Sequence, residues 1–236
     1  MHSNFTAIIP VRSGSRRLKD KNISHFANSN LLEYKIDVLK ANRYIDNIVV
    51  SSDSEIMLEM ALKKKVKIHR RDLRYCDEKT EPFGAVVKHI CESVEGDNII
   101  WSPVTAPLIT NETYNNSIEK YKKVVLGDKN YDSLVSVESF KRYLWNKNGP
   151  INYKLGLEHV PSQELEELYF ISDGILIAPR IKMIEWSYFH GKNPYMFKLN
   201  RIESIDIDDG MDLELARFYY DRYMNCLLYT SDAADE

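Results

Sequence analysis

An α/β fold, built as a three-layer αβα sandwich around a mostly parallel sheet, is what three features of this chain predict. Short β-branched runs recur: "FTAIIPV", "NIVVSS", "VKIH", "NIIWS" and "SLVSV". Segments of helical period separate them, among them "LLEYKIDVLKAN", "EIMLEMALKKK" and "FGAVVKHICESV". The alternation is that of βαβ units, whose strands are covered on both faces. The length, 236 residues, suits one such domain with a substantial insertion.

The insertion is expected over residues 139 to 168, where regular period lapses, turn signals gather at Asn148, Gly149 and Pro150, and Tyr143, Trp145 and Tyr153 read as packing or subunit contacts. Such a run of hairpins suits a lid over a site or a contact with another subunit. Strand pattern resumes with "YFISDGILIA", and a last strand, "SIDID", leads into a closing helix from Met211 to about Met224. One domain over residues 1 to 225 is expected. Residues 226 to 236 resemble translated sequencing-adapter read-through and are set aside.

Net charge is −3, so the protein is not globally basic and a general nucleic-acid binder is disfavoured. Cys76, Cys91 and Cys226 have no CxxC spacing, which argues against a disulfide framework or structural zinc. The histidines show no metal-ligand spacing either. No apolar run approaches the length of a membrane span, and the first strand comes too early for a signal peptide. No membrane partner and a cytoplasmic location are expected.

Positive charge is concentrated in "RSGSRRLKDKN", directly after the first strand. In open α/β sheets that loop is the usual phosphate contact, yet GxxxxGK[ST] and GxGxxG are both absent. Side chains must then do the holding: Arg12 and Lys21 bring full charges, while Ser13, Ser15 and the Gly14 amide add neutral donors. The loop reads as a triphosphate grip; a solvated basic turn is the alternative.

At the other end, Asp206 and Asp208 share one face of an extended segment, since side chains alternate with period two. Converging carboxylates repel unless a cation lies between them, and magnesium takes one or two carboxylates plus phosphate oxygens and water. A Mg2+ site is the reading; the competing one has one of the pair, or Asp209, capping the next helix. Asp212 falls in that helix's first turn. Asp53, before a helical pattern, reads mainly as an N-cap.

Arg12, Ser15, Arg16, Lys21 and Asn22 form R-x-x-S-[KR]-x-x-x-x-K-N, which resembles the signature of the acylneuraminate cytidylyltransferases. "SSDSE", "HRRDLRYCDE", "SPVTAPL" and "SIDIDDGMDLELA" resemble that family's later motifs in the same order. The resemblance implies a nucleotide-diphospho-sugar transferase-like fold and an enzyme that activates a 2-keto-3-deoxy sugar acid with CTP, releasing pyrophosphate. It implies nucleotide contacts from Arg12, Ser13, Gly14, Ser15, Arg16, Lys21 and Asn22, from Arg71 rather than Arg70 over the base, and from Thr105.

It further implies Gln163, Ser162 and Gly174 on the sugar side, with His159 a weaker candidate, and a homodimer contacted through the insertion. Ser162 and Glu166 stand where the family has arginine and proline, which leaves the sugar open. The general base is also open. A glycosyltransferase, whose Asp-x-Asp motif normally lies mid-chain, and a non-catalytic nucleotide-binding module are the rivals. Transfer without pyrophosphate release would favour the first, and binding without turnover the second.

Overall fold

The computed structural model describes residues 3–15, 17–77 and 79–224, so Arg16 and the expected tail lie outside the described residues. Seven strands form the central sheet: β1 (Phe5–Pro10), β2 (Asn47–Ser52), β3 (Lys67–Arg70), β4 (Asn98–Trp101), β5 (Ser133–Phe140), β6 (Leu168–Pro179) and β7 (Pro194–Lys198). Their order is β7-β5-β6-β4-β1-β2-β3. β1 pairs in parallel with β2 and β4, β2 with β3, and β5 with β7, whereas β6 runs antiparallel to both its neighbours. The sheet is therefore mostly parallel, as expected, with one reversed strand.

Period-two alternation divides the core. Ala7, Ile9, Val50, Ile100 and Ile177 face a cluster shared with α1 (Leu31–Lys40), α2 (Glu55–Lys63), α4 (Asn111–Tyr121) and α6 (Gly210–Tyr219). Ile8, Val49, Ile99, Trp101 and Leu176 face the opposite layer, formed by α3 (Phe83–Glu92) and α5 (Arg180–Trp186). Three layers result. Helix starts are encoded locally: the Asn30 side chain accepts from the Glu33 amide at 3.0 Å, and the Thr110 hydroxyl from the Thr113 amide at 3.1 Å.

Two expectations about strands change. "SIDID" forms no strand: the Ser204 and Ile205 amides donate to the Asn200 and Ile202 carbonyls in a turn, the Ile207 amide donates to the Thr105 carbonyl (2.8 Å), and Ile207 buries its side chain in the core. The additional edge strand is instead β7, a half-exposed, proline-led run without a strong period-two signal. Within 139–168 the chain folds a small hairpin, Trp145–Asn146 against Gly149–Pro150, and two single 3-10 turns. No helix among the described residues is long and apolar enough to cross a membrane.

The α3–α5 contact leaves no room for a side chain at Gly84, where a Cβ would lie 2.5 Å from the Ser187 carbonyl oxygen. Gly84→Ala is expected to cost about 1–3 kcal/mol through this backbone clash. Urea denaturation checks it; an unchanged midpoint would show that the two helices separate freely.

Candidate active site at the carboxyl edge of the sheet

The loops after β1, β3 and β4 open onto a cleft of about 490 Å³. It brings together Arg12, Ser15, Lys21, Asn22, Arg71 and Thr105 with Asp206 and Asp208, residues drawn from both ends of the chain. Ligands of open α/β sheets bind outside the carboxyl ends of the strands, and this cleft has that position.

Backbone contacts fix its cationic side. Arg12 donates from Nη1 to the Cys76 carbonyl (2.9 Å), and Asn22 Nδ2 donates to the Arg12 carbonyl (2.9 Å). Lys21 Nζ donates to the Ile207 carbonyl (2.8 Å), tying the basic loop directly to the aspartate segment. Partial burial lowers the Lys21 pKa, with Asp206 and Asp208 pulling the other way. Gly14 has φ +69°, a left-handed turn that favours glycine.

Ser13 and Gly14 do not line the cleft. The Ser13 hydroxyl and amide both donate to the Asp53 carboxylate, so Ser13 anchors the loop from outside. The cap reading of Asp53 is thereby corrected, because Ser54 caps α2 by accepting from the Met57 amide. Desolvation opposes ionisation of Asp53, but the Ser13 hydrogen bonds outweigh it and hold the carboxyl below its usual range.

The cap question at the far end resolves the same way. Asp209 caps α6, and Asp212 completes a capping box. The Asp212 carboxylate also accepts from the amides of Asp208 (2.9 Å) and Asp209 (3.0 Å). With that work done by others, the side chains of Asp206 and Asp208 remain for the cleft. Asp208 pairs with Arg17 at 2.6 Å and lies 3.9 Å from Lys21 Nζ.

The Asp206 Oδ1 atom is buried and has no hydrogen-bond partner among the described residues. A buried carboxylate oxygen is costly to leave unpaired, so this donor set fits a cation that prefers oxygen ligands. No cluster of three or more His, Cys, Asp or Glu suited to a metal occurs among the described residues. The fit is therefore to an ion such as magnesium that completes its shell with phosphate oxygens and water.

Sequence reasoning misses four kinds of lining residue. Arg17 reads in sequence only as part of the charge run. Asp173 enters because the β6 register breaks between Ile171 and Leu176. The Ser136 hydroxyl satisfies that break, donating to the Ser172 carbonyl (2.7 Å) and accepting from the Ile175 amide (2.9 Å). Desolvation by the surrounding walls, and then Asp206 and Asp208, raise the Asp173 pKa. An aspartate inside an apolar strand was the available signal. Phe83, Trp101 and Phe189 form an aromatic wall, and Pro103 adjoins it.

Between the competing arginines the geometry is unambiguous. Arg70 is exposed and forks onto Glu55 at 2.9 and 2.8 Å, while Arg71 is 7% exposed, lines the cleft and donates to the Val11 carbonyl. On β3, burial and then the charges of His89 and Arg71 push the His69 pKa down to about 4. The folded pKa is below the ordinary value of about 6.5, so the unfolded chain binds the extra proton first. Stability from His69 is complete above about pH 6.5 and is lost as pH falls toward 4. Thermal melting at pH 7 and pH 5 should show a larger drop for the natural chain than for His69→Asn; equal drops would contradict this.

Ser162, Gln163 and Gly174 do not line the cleft. Ser162 and Gln163 sit on a 3-10 turn of the insertion, where the Gln163 carbonyl accepts from Lys141 Nζ (2.7 Å). Gly174 is buried in β6, where a Cβ would meet Ile109 Cδ1 at 2.2 Å, so its smallness serves packing. His159 stacks on Tyr143, which packs against Tyr153, away from the cleft.

Comparison with known proteins bears on the family and the fold. Residues 6–148 match the family described as cytidylyltransferase. A pseudaminic acid cytidylyltransferase of Campylobacter jejuni is 28% identical over 225 residues, covering 90% of this chain and 94% of the relative. A CMP-N,N'-diacetyllegionaminic acid synthase of Legionella pneumophila is 26% identical, covering 89% and 93%. The solved structure of a CMP:2-keto-3-deoxy-manno-octonic acid synthetase complexed with CTP superposes with TM-score 0.67 at 13% identity, covering 93% of this chain and 99% of that one, which supports the fold. With the match spanning more than half its length and a basic loop and aspartate pair meeting at one cleft, the chain belongs to the cytidylyltransferase family.

Proposed function

We propose that this nucleotidyltransferase attaches the cytidylyl group of CTP to the anomeric hydroxyl of a 2-keto-3-deoxy sugar acid, forming a CMP-sugar and pyrophosphate. The observation that carries the reading is the meeting of Arg12, Lys21 and Arg71 with Asp206 and Asp208 around a single cleft. The names of the relatives support the acceptor class: pseudaminic, N-acylneuraminic and diacetyllegionaminic acids.

Transfer at phosphorus requires alignment and charge neutralisation more than a strong nucleophile. Arg12 and Lys21, held by the Cys76 and Ile207 carbonyls, set two cations where a triphosphate would extend along the basic loop. Their charge opposes the charge that accumulates on departing pyrophosphate. Arg71, fixed to Val11, completes the nucleotide side. Asp206 and Asp208 are the residues that would hold magnesium, which supplies further neutralisation of phosphate oxygens when bound. A carboxylate of the cleft receives the proton of the sugar hydroxyl.

Ser162 and Gln163 lie on the insertion, off the cleft, and Leu157 of the same insertion and Phe170 just after it are exposed. A homodimer in which the insertion contacts a second copy follows as part of this proposal. So does a cytoplasmic location, where CTP is available. The test is pyrophosphate release with magnesium, each of the four nucleoside triphosphates and a panel of sugar acids. Release that requires CTP and one class of acid supports the reading; transfer from a preformed nucleotide sugar without pyrophosphate would replace it with the glycosyltransferase.

A further inference from the structure

Lys35 stands on α1 with none of its surface exposed, and burial alone pushes its pKa down to about 7. No carboxylate among the described residues pairs with it. Its Nζ donates to the Ala106 carbonyl (2.6 Å) and to the Tyr114 hydroxyl (3.1 Å). A lone buried ammonium is costly, and an apolar side chain of equal length would fill the same space. The position therefore keeps a hydrogen-bond donor for a reason other than stability.

Its contacts lead to the floor of the cleft from two sides. Ala106 follows Thr105, whose side chain lines the cleft and whose carbonyl accepts from the Ile207 amide, between Asp206 and Asp208. Ile207 in turn gives its carbonyl to Lys21. On the other side, the Tyr114 hydroxyl bonds to Ser102 at the start of the same loop and reaches the Gly174 carbonyl at 3.5 Å, one residue from Asp173. The Lys35 amine thus touches the loop whose Thr105 carbonyl holds Ile207 and, through Tyr114, approaches the strand that carries Asp173.

We propose that Lys35 is a positioning residue, which pins the Ser102–Ala106 loop through Ala106 and Tyr114 and thereby sets Asp206 and Asp208 against the basic loop. Only the consequence for turnover rests on the cytidylyl-transfer reading. The contacts of Lys35 with Ala106, and of Ile207 with the adjacent Thr105 carbonyl, stand without it.

The test is Lys35→Met in the full chain, which keeps length and bulk and removes the donor. Exchange of the Ile207 amide is expected to accelerate by about tenfold or more, while amides of β1 and β4 stay protected. In the pyrophosphate assay kcat should fall by about tenfold or more with KM for CTP nearly unchanged, since misplacing groups by a fraction of an ångström slows chemistry more than binding. The melting temperature should hold or rise. Lys35→Gln, with a donor on a shorter stem, should fall between, and it carries the same comparison if the methionine variant does not fold.

An Ile207 amide protected as before would overturn the proposal whatever the activity. A loss of kcat that only tracks a lowered melting temperature would also overturn it, because that is a structural role. The exchange measurement uses no substrate, so it stands apart from failure of the functional reading, which the natural chain's own turnover decides.

Discussion

Asp208→Asn is expected to lower kcat by about a hundredfold or more while leaving the fold intact, because it removes one preorganised charge and keeps the side chain's shape. The prediction separates function from structure cleanly. Asp208 does not cap α6, a role taken by Asp209 and Asp212. Its amide still donates to Asp212 after the substitution. The substitution weakens the ion pair with Arg17 at 2.6 Å and the longer approach of Lys21. Arg17 and Asp208 are 65% and 46% exposed, and a pair of that kind contributes at most about 1 kcal/mol. Circular dichroism and a melting curve close to the natural chain's should therefore accompany the loss of turnover. Near-normal turnover would remove Asp208 from the site.

Arg12→Ala should reduce kcat/KM by about a hundredfold or more, with kcat itself strongly affected. Among the described residues Arg12 is anchored through an Nη1 contact to the Cys76 carbonyl, while its own carbonyl is held by Asn22, so truncation frees the guanidinium site without releasing the backbone. Arg12→Lys is expected to recover only part of the loss, since an ammonium restores charge but not the planar fork that matches phosphate oxygens. A purely solvated arginine would show neither effect. Steady-state kinetics with varied CTP checks both variants, and an unchanged kcat would contradict an interaction made with the departing charge.

The layers of this fold were legible because burial on two faces leaves a plain record in sequence. Ile8 and Ile9 face opposite cores within one strand, and the run "FTAIIPV" carries both. The direction of β6 was not legible, since an isolated apolar strand has the same period whichever way it runs. β7 escaped because an edge strand buries little and needs no strong pattern.

In the site, the basic and aspartate ends were readable as charge and spacing. Their junction was not, because it is made by a main-chain carbonyl, that of Ile207 accepting from Lys21. Asp53 illustrates the same limit. A local rule made it a cap, while a contact forty positions back in sequence, to Ser13, decided its role. Asp173 depended on a register break that Ser136 sustains from a neighbouring strand. Contacts between distant segments carry no local periodicity and appear only once the chain is folded.

The most direct test of the account follows one oxygen atom through the reaction. The sugar acid accepted by the enzyme would be labelled with heavy oxygen at its anomeric hydroxyl, incubated with CTP and magnesium, and the products followed by phosphorus NMR. Attack by the sugar on the α-phosphorus predicts an isotope-shifted phosphodiester signal from the CMP-sugar, with unlabelled pyrophosphate beside it. An unshifted CMP-sugar signal formed while the remaining sugar acid still carries its label, or a label found in pyrophosphate, would contradict transfer of the cytidylyl group between CTP and sugar acid in this cleft.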